Sequence, residues 1–329
     1  MKQYSGNIIK TLAFAAIILT GTKIQAQTVS TPQQMVDALH GTFGKHSNAR
    51  AVHAKGIILQ GTFIPGSEAK KITKAAHFQN KSTPVTLRFS DFTGIPSISD
   101  TNPLSNPRGL AIKFNLPSGQ TTDIIAHSYN GFPVATTDEF RQLLQAISSS
   151  GPNAPHPTAL EQFFVTHPIA KTFLTSQKPA TTSFATLSYY GVNSFKFTNQ
   201  KGKSKFIRYQ FIPVEGEHFL TKEELASYSP DYLSEEITKR TATKPFQFKL
   251  YAQIAEEGDE IANPSIAWSD SRKLVLLGTI TINALGDNST QGDKKLSFLP
   301  NNITDGIEIA DPMLDDRSKA YPISVKERQ

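Results

Sequence analysis

The sequence predicts an α+β protein built on an antiparallel β-barrel of roughly eight strands with helical additions. Three observations lead there. Strand-like segments are numerous, most follow one another through short turns, and the strict alternation of strands with crossover helices that a doubly wound sheet requires is missing. No internal repeat or low-complexity linker divides the chain, so residues 27–329 read as one domain.

The elements follow in order. Lys2 and Lys10, an apolar run from Leu12 to Leu19, and Ile24-Gln25-Ala26 make a secretory signal peptide over residues 1–26, too short to span a bilayer. Export follows as an expectation, into the periplasm where the source is Gram-negative. Thr31-Pro32 ahead of Met35, Val36, Leu39 and Phe43 predicts a capped amphipathic helix. Strands are expected at 55–64, 84–90, 108–114 and 121–128. In the second, Val85, Leu87 and Phe89 share one face, and Thr86, Arg88 and Ser90 the other. A helix at 138–148, a loop at 151–157 and a helical stretch broken at Pro168 come next. Further strands read at 183–191, 194–199, 205–214, 246–255 and 272–282, with Gln200-Lys201-Gly202 as a hairpin turn and a polar helix over 221–240. Pro322 disfavours helix at its predecessor, so the last helix should end near Tyr321.

Composition removes several function classes. Cleavage of the signal removes Lys2, Lys10 and Lys23 and no acids, taking the formal charge from +6 to +3, with no long basic block to hold nucleic acid. The chain has no cysteine, which excludes disulfides, thiolate nucleophiles, Fe–S clusters and covalent haem attachment. No second apolar stretch is long enough for a membrane span, so the mature protein should be soluble. HExxH, GxSxG, GxGxxG and P-loop patterns are absent. What remains is a histidine in VHAKG, Arg88 and Ser90 in LRFS, a polar cluster in AHSYNGFPV, and the terminal RSKAYP. Taken singly these are ordinary: a histidine beside a strand is usually satisfied, and a tyrosine near a terminus usually packs.

Together, VHAKG (52–56), TPVTLRFS (83–90), NPRGLAIKF (106–114), GIEIADPML (306–314) and RSKAYP (317–322) stand in the order and near the spacing of the haem catalase family. The chain resembles that family from about Arg50 to Arg328, and most of all its small exported catalase-related peroxidases, which lack the C-terminal helical region of full-length catalases. The resemblance implies a catalase-type barrel and a non-covalent haem b. Tyr321 would be the axial iron ligand, with Arg317 one helical turn back on the same face. A free phenol titrates near ~10, and ferric iron and a guanidinium both favour its anion. Tyrosine is the catalase ligand in general.

By the same resemblance His53 is the distal acid–base, moving a proton between the two oxygens of peroxide, and Ser90 supplies the hydroxyl beside it. Arg50, Arg88 and Arg328 would hold the haem propionates, and Phe132 and Phe140 would pack on the porphyrin. Two departures stand out. The family's distal asparagine aligns with His127, with Asn130 the nearest asparagine, so either could partner His53. The histidine behind the Arg–Tyr pair is replaced by Asn193. With the wrapping region missing as well, the haem is expected to be more accessible, which favours peroxidase over catalase activity.

The reading is therefore a haem peroxidase reducing hydrogen peroxide or an organic hydroperoxide with a small organic reductant, as a monomer or simple homo-oligomer. A hydroperoxide isomerase, a non-catalytic haem-binding protein and a plain lipid-binding barrel are the rivals. They differ from it in consuming no reductant, in lacking His53-dependent turnover, and in taking up no haem.

Overall fold

The computed structural model describes residues 30–329; the signal peptide expected over residues 1–26 lies outside them. Thr31 opens α1 (Pro32–Phe43) through a capping box, its hydroxyl accepting from the Gln34 N–H while the Gln34 side chain accepts from the Thr31 N–H. Eight strands follow the predicted alternation: β1 (Gly56–Pro65), β2 (Thr83–Ser90), β3 (Gly109–Asn115), β4 (Thr121–His127), β5 (Tyr189–Thr198), β6 (Ser204–Pro213), β7 (Phe246–Ile254) and β8 (Leu274–Leu285). They pair antiparallel in the order β4-β3-β2-β1-β8-β7-β6-β5, and His127 of β4 meets Tyr190 of β5 to close an eight-stranded barrel. A short ninth strand, β9 (Ile307–Ile309), adds to β5 beyond a bulge between Gly191 and Phe195.

Inward-facing residues fill the barrel. Leu59, Phe63, Leu87, Phe89, Ile112, Phe114, Phe211, Phe248 and Ile280 are all fully buried, as an eight-stranded interior allows. A closed, filled barrel has no room for a large ligand inside. The site therefore forms on the outer wall, where the second face of β2 (Arg88, Ser90) and the outward residues Ala111 and Ile125 meet α1 and α9 (Met313–Glu327).

The remaining helices are α2 (Ala69–Ile72), α3 (Thr137–Ser148), α4 (Ala159–Thr166), α5 (Pro168–Thr175), α6 (Lys222–Leu225), α7 (Tyr232–Thr243) and α8 (Thr290–Lys295). The break at Pro168 is present, and the polar stretch 221–240 is two helices rather than one. Residues 184–186 form a single 3₁₀ turn. The two strands expected at 183–191 and 194–199 are one bulged strand, β5, which brings the barrel to eight. The sequence gives no separate notice of β9: three residues leave too little alternation to read.

The end of the last helix differs from expectation. α9 runs through Pro322 to Glu327. A proline inside a helix costs about 3 kcal/mol in a lost bond and ring crowding. Here contacts outside the helix offset it. The Ser324 hydroxyl accepts from the Ala51 N–H, Glu327 reaches His40 and Lys45, and Arg328 donates to the Leu296 carbonyl.

Candidate active site

One cavity of about 190 Å³ is lined by His53, Ser90, Arg50, Arg88, Arg317, Arg328, Phe132, Phe140 and Tyr321, with Met35, Val36 and Val325 among its apolar wall residues. Nine of the eleven site residues read from the sequence therefore face a common space. His127 and Asn130 do not line it.

On the barrel side, His53 adopts φ 57°, a left-handed conformation unusual for a side chain with a Cβ. Its backbone is held on both sides: its N–H donates to the Phe92 carbonyl, and its carbonyl accepts from Arg88 Nη1 at 2.9 Å. Its Nδ1 lies 3.0 Å from the Asp91 carbonyl and 3.1 Å from Ser90 Oγ. A carbonyl only accepts, so the tautomer assigned here carries the proton on Nδ1 and leaves Nε2 as the free base at the cavity. Burial, then the Arg88 guanidinium, pushes the ring down to about 3, so His53 is neutral at ordinary pH. Behind it Asp91 pairs with Arg108 in full burial; burial raises the Asp91 carboxyl and Arg108 opposes the rise. Gly109 completes the seat. A Cβ there would stand 2.5 Å from Ser90 Oγ and 2.8 Å from His53 Nδ1.

On the helix side, the i, i+4 spacing places Arg317 Nη2 3.1 Å from the Tyr321 hydroxyl. Arg317 Nη1 donates to Asn193 Oδ1 at 2.8 Å, and Asn193 Nδ2 donates to Asp311 Oδ2 at 2.7 Å. Asn193 is thus the partner of the arginine. Its amide accepts from one side and donates to the other, and it carries no titratable proton. Burial pushes the Asp311 carboxyl up against the pull of the Asn193 amide.

At the rim, Arg50, Arg88 and Arg328 converge, and among the described residues one carboxylate, Asp293, pairs with them. Arg88 Nε donates to Asp293 Oδ1 at 2.8 Å and Arg50 Nη2 to the same oxygen at 3.1 Å; Arg328 reaches only backbone carbonyls. Burial and mutual repulsion lower Arg88 to about 9 and Arg328 to about 10. Three guanidiniums against one carboxylate leave room for two more negative charges. A haem with two propionates meets that demand, a phenol hydrogen-bonded to a guanidinium suits ferric iron, and the wall is apolar; these residues fit the group.

His127 ends β4 at the barrel seam. The Tyr129 N–H donates to its Nδ1 at 3.3 Å, which assigns its proton to Nε2, buried and without a partner among the described residues. Burial, then nearby His53, lowers it to about 3. Its ring packs against Phe132 and Phe173. Asn130 sits in the bend just after.

A family model described as Catalase matches residues 25–329. The chain belongs to the catalase family. It is 34% identical over 302 residues to a catalase-related peroxidase of Mycolicibacterium paratuberculosis, covering 91% of this chain and 95% of that one. A catalase-related peroxidase of Synechococcus elongatus is equally similar, 34% over 308 residues, covering 92% and 90%. Among solved structures, a fungal catalase superposes with a TM-score of 0.76 at 21% identity, over 86% of this chain and 60% of its own. A bacterial catalase gives 0.75 at 21%, over 100% and 67%. This catalase-family chain thus spans about two thirds of the length of those catalases, and their likeness bears out the closed barrel with its helices.

Asn193 lies behind Arg317 as the sequence reading had it, whereas Asp293, the left-handed His53 and the Asp91–Arg108 pair escape that reading. Nothing local marks Asp293, whose partner Arg88 is 205 residues away.

Proposed function

We propose that this protein is a haem b peroxidase that reduces hydrogen peroxide or an organic hydroperoxide at the expense of a small organic donor. The coarser statement, a catalase-family peroxidase-like function, rests on the family and on the two relatives named catalase-related peroxidase. One observation carries the finer one. Tyr321 with Arg317, and a neutral His53 with a free Nε2, share a single apolar cavity rimmed by unbalanced guanidinium charge.

A bound ferric haem would supply the redox chemistry, accepting the oxidising equivalents of peroxide and passing them to donors one electron at a time. The chain's own residues would do the rest. The Tyr321 oxygen would hold the iron, and Arg317 would favour negative charge on it. Arg50, Arg88 and Arg328 would hold the propionates, and Phe132 and Phe140 would pack on the ring and keep water out. His53 Nε2 would take the proton from the hydroperoxide O–H and return it to the departing oxygen, which leaves as water or alcohol. His127 would then act as a fixed N–H donor and not as a base. Export through cleavage after Ala26 remains part of this proposal and is checked by the N-terminal mass of the secreted protein.

The test is the absorption spectrum of the haem-loaded protein beside Tyr321→Phe, before and after peroxide. A tyrosinate-type ferric spectrum lost in the variant, and a peroxide-induced change reversed by a phenolic donor, support the reading. An unchanged spectrum in Tyr321→Phe removes Tyr321 as ligand. Conversion of an organic hydroperoxide to a rearranged product, with no donor consumed and no oxygen released, assigns an isomerase instead.

A further inference from the structure

Arg88, read from the sequence as a ligand for a propionate, also donates from each of its nitrogens within the chain and keeps a second N–H on each Nη. Nε donates to Asp293 Oδ1 at 2.8 Å, Nη1 to the His53 carbonyl at 2.9 Å and Nη2 to the Ala54 carbonyl at 3.0 Å. The Arg88 side chain is 4% exposed, so water contributes little to its position. A planar fork fixed along one edge by a carboxylate presents its other nitrogens in one plane. Nη1 grips the carbonyl of His53, the site residue with a left-handed backbone, and Nη2 that of the next residue, Ala54. Gly56 is what lets Arg88 lie there, since a Cβ at that position would stand 2.6 Å from the guanidinium carbon.

Resting on the reading of His53 as the distal base, we infer that Asp293 is a positioning residue for His53, acting through Arg88. The carboxylate sets the guanidinium, the guanidinium holds the His53 carbonyl in its left-handed setting, and that setting presents Nδ1 to Asp91 and Ser90 and Nε2 to the cavity. Asp293 also shares its oxygen with Arg50. The anion-binding rim and the distal base are therefore one hydrogen-bonded unit. Asp293 touches neither peroxide nor a reacting atom; its effect is on where the imidazole points and which nitrogen bears the proton.

The experiment uses the full chain as Asp293→Ala and Asp293→Glu, with circular dichroism to confirm folding. The first readout is the ¹⁵N spectrum of labelled histidines in the protein without added haem, His53 being assigned by its loss in His53→Gln. The second is the rate of the peroxide reaction in the haem-loaded protein. We expect wild type to show His53 protonated on Nδ1, and Asp293→Ala to show a mixture of tautomers with a peroxide rate lower by one to two orders of magnitude, the effect of a displacement of about 1 Å. Asp293→Glu should restore the Nδ1 tautomer and recover the rate to within about threefold. Should Asp293→Ala not fold, Asp293→Asn carries the test: it keeps the size, removes the charge, and should show the same tautomer mixing. A single Nδ1 tautomer and an undiminished rate in a folded Asp293→Ala or Asp293→Asn overturn the inference. A peroxide rate unchanged in His53→Gln would instead overturn the reading of His53 on which it rests.

Discussion

Gly109 is the least conspicuous residue in the cavity wall, and replacing it with alanine tests the placement of His53 most directly. It sits on β3 opposite Ser90 of β2, where both strands reach the site. The added methyl carbon would lie 2.5 Å from Ser90 Oγ, 2.8 Å from His53 Nδ1 and 2.9 Å from His53 Cε1. Ordinary contact begins near 3.4 Å, so the imidazole must retreat by at least about 0.6 Å and the hydroxyl by about 0.9 Å. The ring cannot retreat freely. Its Nδ1 is committed to Asp91 and Ser90, its backbone is pinned by Phe92 and Arg88, and the Phe92 ring stands edge-on at 5.6 Å. Overpacking of this kind costs about 1–3 kcal/mol of stability. A shift of several tenths of an ångström in a proton-transferring group should lower the peroxide rate by about 10- to 100-fold. Haem affinity should stay near wild type, because the atoms nearest the added methyl belong to Ser90 and His53 and not to Tyr321 or the arginine rim. Stopped-flow mixing of haem-loaded protein with hydrogen peroxide reads the rate, and a haem titration reads the affinity. Adding Ser90→Ala removes the 2.5 Å contact but not the 2.8 Å one, so the double variant should recover stability and not rate. A Gly109→Ala enzyme that reacts within threefold of wild type would refute the reasoning.

Other outcomes follow from the same geometry. His77 is 1% exposed, with neither ring nitrogen paired among the described residues, and burial lowers it to about 3 from 6.5. A folded value below the unfolded one means stability present above pH 6.5 and lost as pH falls toward 3, about 2 kcal/mol for this group by pH 5. His77→Phe should therefore lose about 2 kcal/mol less than wild type between pH 7 and pH 5 in urea melts, and equal losses would remove the assignment. Arg108→Met leaves the buried Asp91 carboxylate without its partner and should cost about 3–5 kcal/mol in denaturant melts at pH 7; a cost under 1 kcal/mol would show that the pair is not what holds that wall. Asn193→Leu strips Arg317 Nη1 and Asp311 Oδ2 of their shared partner, which should cost about 1–3 kcal/mol and shift the Soret band of the haem-loaded protein. An unshifted band would show that Arg317 keeps its place without the amide.

The barrel was legible because its code is local. Val85, Leu87 and Phe89 alternate with Thr86, Arg88 and Ser90, and a period of two says which face is inside without reference to any other strand. The first helix was legible for the same reason, its capping box lying within four residues. Where the reading failed, the deciding contact was distant. The 3₁₀ turn at 184–186 is apolar enough to pass for a strand, and the bulge between Gly191 and Phe195 lies in the pairing with β6, just before β9 joins β5 from more than a hundred residues on. In the site, the resemblance carried by the ordered segments named the groups around the cavity and the Ser90–His53 and Arg317–Tyr321 neighbours, but not the wider network that holds them. Arg88, expected to face a propionate, lines the cavity and also holds the His53 carbonyl. His127, one of two residues expected to partner His53, packs against Phe132 and Phe173 at the seam where β4 pairs with β5.

Pro322 shows the same division most sharply. Local chemistry says that a helix should stop at Tyr321, and by propensity alone it would. Continuing costs about 3 kcal/mol, yet it places Arg317, Tyr321, Ser324, Val325 and Arg328 along one face of one rigid element, at steps of four, three, one and three residues. A helix that ended at Tyr321 would set the phenol and the terminal arginine on separate pieces of chain, each free to move against the other. Running through the proline ties the iron-ligand candidate to the rim of the cavity in a fixed geometry, and the anchors at Ala51, His40, Lys45 and Leu296 offset the lost hydrogen bond. The departure from local preference thus falls in the element that spans the site from the phenol to the rim, where a fixed distance matters more than helix propensity.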